Sequence, residues 1–232
     1  MTGIRPLLDP AKCVLLDFEG PVGRLFTAMD ATRVTSRLCE LLQACGESQL
    51  VGPQLRAGRD PLAVLRTVAE QDGHRGLTAY LDRRLTEEEL GAVRRARPTP
   101  YADPLIRTLV GGGRRVAVTS EHSVAAVRGY LALRGLERPL GGRIYARPGE
   151  GSRWNGYPEA LRAALESCAC APEEALWIGE TPAVLAAARA AGVPFLGYAR
   201  DEAHQAPLAD RGSVVTRSLE EVLRVASVPR FD

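Results

Sequence analysis

Lysine is almost absent from this chain: Lys12 is the only one, so arginine supplies the other 29 of the 30 basic residues. Acidic residues number 28, which leaves a formal net charge of +2. Such a balance gives no basis for binding nucleic acid or an anionic membrane surface. No apolar stretch approaches the roughly 20 residues of a membrane span. We therefore expect no nucleic-acid partner and no membrane partner.

A secretion signal and a regular cysteine pattern are also lacking. The opening residues, Met-Thr-Gly-Ile-Arg-Pro, do not have the charged-then-apolar order of a signal peptide, so we expect a cytoplasmic protein. The five cysteines are irregularly spaced, and Cys168-Ala-Cys170 matches neither a redox pair nor a zinc site. Reduced thiols with structural roles are the expectation.

Apolar runs alternate with helical patterns along most of the 232 residues, which are enough to bury a full core. The predicted strands are Cys13–Phe18, Arg115–Ser120, Arg143–Ala146, Ala175–Gly179, Pro194–Tyr198 and Ser213–Thr216. The predicted helices between them are Asp103–Val110, Val124–Leu133, Pro158–Cys168, Pro182–Ala191 and Leu219–Ala226. This alternation predicts an α/β fold with a parallel sheet, helices on both faces and a site at the carboxyl ends of the strands.

The stretch between the first and second strands is predicted to be all helical. Ala31–Ala44 and Pro61–Gln71 have apolar residues at helical spacing, and Thr86-Glu87-Glu88-Glu89 predicts a capping box that opens a helix through Arg95. Two prolines in residues 97–100 end the helical stretch. We expect residues 27–97 to form a cap over a core made of residues 1–26 and 98–232.

Two carboxylates follow the first strand, in the segment Asp17-Phe18-Glu19-Gly20. Side chains fan out where a strand ends, so Asp17 and Glu19 can converge on one crevice. A carboxylate at the end of an apolar strand is costly unless it meets a metal ion, a cation or backbone donors. The sequence therefore predicts a functional site here.

Three segments together resemble the haloacid dehalogenase (HAD) superfamily. They are Asp17 to Val22, the strand end at Ser120, and Trp177 to Thr181 followed by residues 186–194. The resemblance implies a three-layer, Rossmann-like parallel sheet with a helical cap inserted after the first strand. It also implies phosphatase chemistry in which Asp17 attacks phosphorus to form an aspartyl-phosphate and Glu19 is the general acid and base.

The resemblance further implies a Mg²⁺ ion and a small phosphorylated substrate. The implied ligands are Asp17, the backbone carbonyl of Glu19 and Glu180, all hard oxygen donors. Magnesium would offset the repulsion between the attacking carboxylate and the phosphate. Ser120, in preference to Thr119, would bind the phosphoryl group.

Four positions depart from the superfamily pattern. Glu19 and Glu180 each stand where the pattern has Asp, which keeps the negative charge but places it on a longer side chain. Val184 replaces a further acidic residue, and Asn155 stands at the usual Lys position. Lys12 lies about 16 Å from Asp17 along an extended strand and cannot take that position. These changes predict a magnesium site that is either weak or lost.

Several residues are candidates to restore the missing positive charge or to meet a ligand. Arg147 directly follows the third strand and is favoured over Arg153, although both also fit solvated loop positions. His122 lies two residues beyond Ser120 and either contacts substrate or lies on the surface. Trp154 and Tyr157 either face a ligand or pack. All of these alternatives are open at the level of sequence.

Three functions fit the sequence. The leading one is a magnesium-dependent phosphatase with reduced efficiency, favoured by Asp17, Glu19 and Glu180. A catalytically silent HAD-like binding protein is favoured by Val184 and Asn155. A metal-independent hydrolase of the dehalogenase type is the third, and it needs a cation such as Arg24 to receive halide.

Overall fold

A six-stranded parallel sheet forms the centre of the computed structural model, which describes residues 3–149 and 154–228. The spatial order of its strands is β5-β4-β1-β6-β7-β8. These strands are β1 (Cys13–Asp17), β4 (Arg115–Ser123), β5 (Ile144–Arg147), β6 (Ala175–Gly179), β7 (Phe195–Tyr198) and β8 (Val214–Thr216). The predicted α/β fold is confirmed, with bounds within three residues of those expected from the apolar runs.

Helices cover both faces of the sheet because its central strands are apolar on both sides. Val14 and Leu16 of β1 lie in one apolar cluster, whereas Cys13 and Leu15 lie in another. The first face is covered by α1 (Arg5–Leu8), α6 (Ala102–Gly111), α7 (Val124–Leu133), α8 (Glu137–Leu140) and α12 (Leu219–Ala226). The second is covered by α9 (Tyr157–Ser167), α10 (Pro182–Ala190) and α11 (Glu202–Ala209), with a short 3₁₀ turn at Pro172–Glu174.

A helical insertion follows β1 and has a core of its own. It contains α2 (Ala28–Ala44), α3 (Pro53–Arg56), α4 (Pro61–Ala69) and α5 (Arg75–Ala92), with 3₁₀ turns at Ser48–Leu50 and Val93–Arg95. Leu38, Val64 and Leu81 are buried in its apolar cluster, which is separate from the two clusters of the sheet. The helix α2 begins at a capping box in which Thr27 and Asp30 exchange hydrogen bonds.

The expected capping box at Thr86 is wrong. Thr86 lies in the middle of α5, which begins eleven residues earlier at Arg75 and runs without a break through Glu89. The motif of a hydroxyl residue followed by Glu occurs here within a helix, where the backbone donors that a cap would satisfy already have partners in the preceding turn. Tertiary packing of Leu81 and Leu85 in the cap core fixes this longer helix.

The insertion joins the sheet through a two-stranded antiparallel ribbon, β2 (Gly23–Arg24) with β3 (Arg97–Pro98). The hydroxyl of Thr99 donates to the carbonyl of Gly20, and the Thr99 amide donates to the carbonyl of Val22 at 3.2 Å. These bonds attach the ribbon to the loop that follows Asp17. Among the described residues, no helix has the length and hydropathy needed to cross a membrane.

Candidate functional site

The site residues predicted from sequence lie at the carboxyl ends of four neighbouring strands. Asp17 ends β1, Ser120 lies in β4, Arg147 ends β5 and Glu180 directly follows β6. The parallel order of the strands brings these positions to one edge of the sheet, beneath the helical insertion. All four residues are buried, so the charged side chains of Asp17, Arg147 and Glu180 need partners within the protein.

Asp17 is completely buried and has one hydrogen-bond partner among the described residues. The hydroxyl of Tyr157 donates to its Oδ2 atom at 3.2 Å, while Oδ1 has no partner there. Burial raises the pKa of Asp17 well above its usual value, and the Tyr157 hydrogen bond opposes that rise only in part. The carboxyl expected to be the nucleophile is thus paired with a tyrosine instead of a cation.

Glu19 and His122 form the next contact in the crevice. The Nε2 atom of His122 lies 3.2 Å from Oε2 of Glu19, and its Nδ1 atom lies 2.9 Å from Oε1 of Glu89. Burial alone would lower the pKa of His122, but the hydrogen bonds to the two carboxylates raise it to about 10. The ring is therefore an imidazolium at neutral pH and donates from both nitrogens.

Glu89 belongs to α5 of the insertion, yet its side chain is fully buried and bonded to groups of the sheet domain. Besides His122, it accepts a hydrogen bond from the backbone amide of Ser123 at 2.9 Å. The Nη2 atom of Arg147 donates to both of its oxygens at 2.8 Å. One carboxylate of the cap therefore holds three groups of the core.

Arg147 completes this cluster. Its guanidinium also pairs with Asp82 of α5, and its Nε atom donates to the carbonyl of Glu121 at 3.0 Å. Burial lowers its pKa to about 10, so the side chain is charged at neutral pH. The structure excludes the solvated loop position that was one of the two alternatives for Arg147, and its charge is engaged by Asp82 and Glu89. Arg153, the other candidate, lies outside the described residues.

Glu180 is paired with Arg24 of the ribbon strand β2. The Nη2 atom of Arg24 lies 2.9 Å from both carboxylate oxygens, while Arg200 and His204 approach Oε1 at 3.7 and 3.9 Å. Gly20 makes this position possible, since a Cβ atom there would lie only 2.2 Å from Oε2 of Glu180. Arg24 is thus engaged with a carboxylate and is not free to receive a halide ion.

The side chains present do not fit a resident magnesium ion. The carboxylate of Glu180 already has a guanidinium on both oxygens, and the completely buried Asp17 accepts the hydroxyl of Tyr157 on its Oδ2 atom. Val184 is fully buried in the apolar cluster beside β6, against Gly179, where no carboxylate can be accommodated without burying its charge. Within residues 3–149 and 154–228, no three acidic, histidine or cysteine side chains are placed to hold a metal ion.

Ser120 and Asn155, the two remaining positions considered from the sequence, have different hydrogen-bond partners. The Ser120 hydroxyl accepts the backbone amide of His122 at 3.0 Å, whereas the Thr119 hydroxyl accepts the indole N–H of Trp177 at 3.1 Å. Asn155 is exposed, and its side-chain amide donates to Glu159 at 3.0 Å. Ser120 retains its place in the crevice, but Asn155 does not stand in for a lysine.

Sequence reasoning did not identify Glu89 as a site residue and left the position of Tyr157 open. Glu89 had been interpreted as part of a helix cap, and only the tertiary fold reveals that it reaches the core. The available signal was helical periodicity, which places Glu89 on the same face of the helix as Leu85. A Glu at a buried helix position is unusual. Nothing in the sequence pointed from Tyr157 to Asp17, 140 residues away.

Solved structures of known proteins share this architecture. The model superposes on a haloacid dehalogenase-like hydrolase from Streptococcus pneumoniae with a TM-score of 0.65 and 16% identity, covering 94% of this chain and 99% of that one. For CbbY from Rhodobacter sphaeroides in complex with phosphate, the TM-score is 0.62 at 19% identity, with coverages of 94% and 100%. A protein described as a predicted phosphoglycolate phosphatase from Haemophilus somnus gives 0.65 at 15%, covering 94% and 99%.

The chain therefore has the fold of the HAD-like hydrolases, with the helical insertion after β1 that the resemblance implied. At these identities the likeness establishes the fold alone. No protein-family model matches the sequence, and no curated protein matches it significantly.

Replacing Glu89 by Gln tests the contact between cap and core. We expect Glu89→Gln to lower the free energy of unfolding by about 3–5 kcal/mol, because it leaves Arg147 and the imidazolium of His122 buried without their shared counter-charge. The adjacent Glu88→Gln is the control, since Glu88 pairs with Arg33 near the surface and should contribute about 0–1 kcal/mol. Equal urea midpoints for the two variants would contradict the role of Glu89.

Proposed function

We propose that this protein binds a small phosphorylated molecule in a cavity between the cap and the core, and that it does so without magnesium-dependent phosphoryl transfer. The observation that carries the proposal is the cavity itself, of about 430 Å³, which is in the usual range for small-molecule sites. Its described lining residues are Leu62, Leu65, Arg66, Ala69, Arg75, Thr78, Ala79, Asp82, Glu121, Arg147, Gly149, Trp154 and Asn155.

Two donors of this lining are available to a ligand, the indole of Trp154 and the guanidinium of Arg75. The indole Nε1 of Trp154 is buried without a hydrogen-bond partner among the described residues, whereas Arg75 lies at the exposed rim of the cavity, where its guanidinium is open to solvent. Buried donors are normally satisfied, so an indole N–H without a partner favours a ligand with acceptor oxygens. The guanidinium of Arg75 adds a positive charge for an anionic group.

The other charges of the cavity are already balanced. Arg66 pairs with Glu121 at 2.7 Å and with Asp60 at 3.2 Å, and Arg147 pairs with Asp82 and Glu89. The leucine and alanine side chains of α4 and α5 supply an apolar wall. A ligand with one anionic end and a compact organic body matches this combination. The phosphate bound to the structural neighbour CbbY agrees with a phosphorylated ligand.

Tryptophan fluorescence tests the binding proposal, because the chain has only two tryptophans and Trp177 is fully buried in the sheet. Titration with 2-phosphoglycolate should change the emission of the wild type and leave that of Trp154→Phe unchanged. Arg75→Ala should weaken binding at least about tenfold, by removing one charge-assisted hydrogen bond. Arg37→Ala, which removes a surface arginine of α2, is the matched control.

A flat wild-type titration, with no thermal stabilisation by inorganic phosphate or 2-phosphoglycolate, would contradict the proposal. So would equal loss of affinity in Arg75→Ala and Arg37→Ala, since that would indicate a general charge effect and no defined site.

A residual phosphatase is the second candidate, favoured by the Oδ1 atom of Asp17, which has no partner among the described residues. In that reaction an Asp17 oxygen bonds to phosphorus, the ester oxygen leaves with a proton from Glu19, and water then releases phosphate from the aspartyl-phosphate.

Turnover of an aryl phosphate separates the two candidates. We expect the wild type and Asp17→Asn to show the same trace rate, because the hydrogen-bond partner of Asp17 among the described residues is the neutral Tyr157 hydroxyl, while Arg147 and Arg24 are paired with other carboxylates. The variant keeps the size of the side chain but removes the nucleophile. A fall of about 10²-fold or more in Asp17→Asn would establish Asp17 as the nucleophile and favour the phosphatase.

A further inference from the structure

We propose that the guanidinium of Arg24 is the resident cation of this crevice and holds the place at Glu180 that a divalent metal ion would otherwise take. Arg24 lies on the ribbon strand β2, only seven residues after Asp17, and its Nη2 atom is 2.9 Å from both oxygens of Glu180. The side chain of Glu180 is 5% exposed and that of Arg24 is 21% exposed, so solvent screens this pair only weakly.

The surroundings of Glu180 favour a guanidinium over a metal ion. Gly20 brings the backbone of the first motif against Oε2, while Arg200 and His204 approach Oε1 from the loop after β7 and from α11. A divalent ion brought to this carboxylate would lie beside Arg24 and Arg200 and would be repelled by both. Its approach therefore requires Arg24 to leave.

Asp17 gives a metal ion little compensation for that displacement. It is completely buried, and its Oδ2 atom accepts the hydroxyl of Tyr157. Val184 contributes no ligand from the start of α10. Two carboxylates alone compete poorly with a bonded guanidinium that is covalently part of the chain. The role of Arg24 is independent of whether the cavity beneath the cap binds a ligand.

Removing Arg24 should therefore create a cation site that the natural chain does not have. Arg24→Ala frees both oxygens of Glu180, and Mn²⁺ is a suitable probe because it accepts the same carboxylate and carbonyl ligands as magnesium. We expect the electron paramagnetic resonance signal of free Mn²⁺ to show at least about tenfold tighter binding to Arg24→Ala than to the wild type.

Two controls define the site. Arg200→Ala removes a more distant and more exposed arginine from the same carboxylate, and it should leave Mn²⁺ binding at the wild-type level because Arg24 still covers both oxygens. The double variant Arg24→Ala/Glu180→Gln should lose the gained binding. If Arg24→Ala does not fold, Mn²⁺ binding is measured on Arg24→Gln, which removes the charge but keeps a hydrogen-bond donor.

The proposal is overturned if the wild type binds Mn²⁺ as tightly as Arg24→Ala and Glu180→Gln abolishes that binding, since a metal ion would then displace Arg24. It is equally overturned if folded Arg24→Ala and Arg24→Gln both bind no more Mn²⁺ than the wild type.

Discussion

The buried crevice beneath the cap must balance its own charges, and the rest of the structure depends on how it does so. Besides Asp17, two further carboxylates there are almost completely excluded from water, Glu89 from the cap and Glu180 from the core. Each accepts two hydrogen bonds from an arginine of a different part of the fold, Arg147 of the core for Glu89 and Arg24 of the ribbon for Glu180. Because an unpaired buried charge is strongly destabilising, these pairs also fix the position of the cap.

This arrangement changes what the HAD-like fold can do in this chain. In the chemistry that the resemblance implied, cations in the crevice face the substrate and stabilise the charge that develops on it. Here Arg147 and Arg24 face carboxylates of the protein itself, and Asn155 faces Glu159 at the surface. In the part of the chain that the structure describes, the buried indole N–H of Trp154 at the neighbouring cavity has no partner, and Arg75 also lines that cavity. These contacts support the proposal of ligand binding beneath the cap.

The fold was largely predictable because its signals are local. The strands around Leu15 and Trp177 are short apolar runs, and helices such as Val124–Leu133 follow from apolar spacing and a capping serine. The length of α5 was not predictable from the motif at Thr86, because packing in the cap core overrode it.

The site was predictable only as far as the strand ends, which placed Asp17 and Ser120. The sequence did not predict which charged side chains pair, since Arg24 and Glu180 are 156 residues apart and Glu89 and Arg147 are 58 residues apart. Which of the many arginines meets which carboxylate is decided by three-dimensional proximity, and one sequence does not contain that information. Tyr157 illustrates the same limit, since its contact with Asp17 follows from the position of α9.

The most direct test of internal charge balance is a crystal structure of the wild-type protein soaked in Mn²⁺, with the ion located by its anomalous scattering. The account predicts no anomalous peak between Asp17 and Glu180, and it predicts Arg24 within hydrogen-bond distance of both oxygens of Glu180. A peak at that position with Arg24 turned away would contradict it and would restore a metal-dependent centre to this chain.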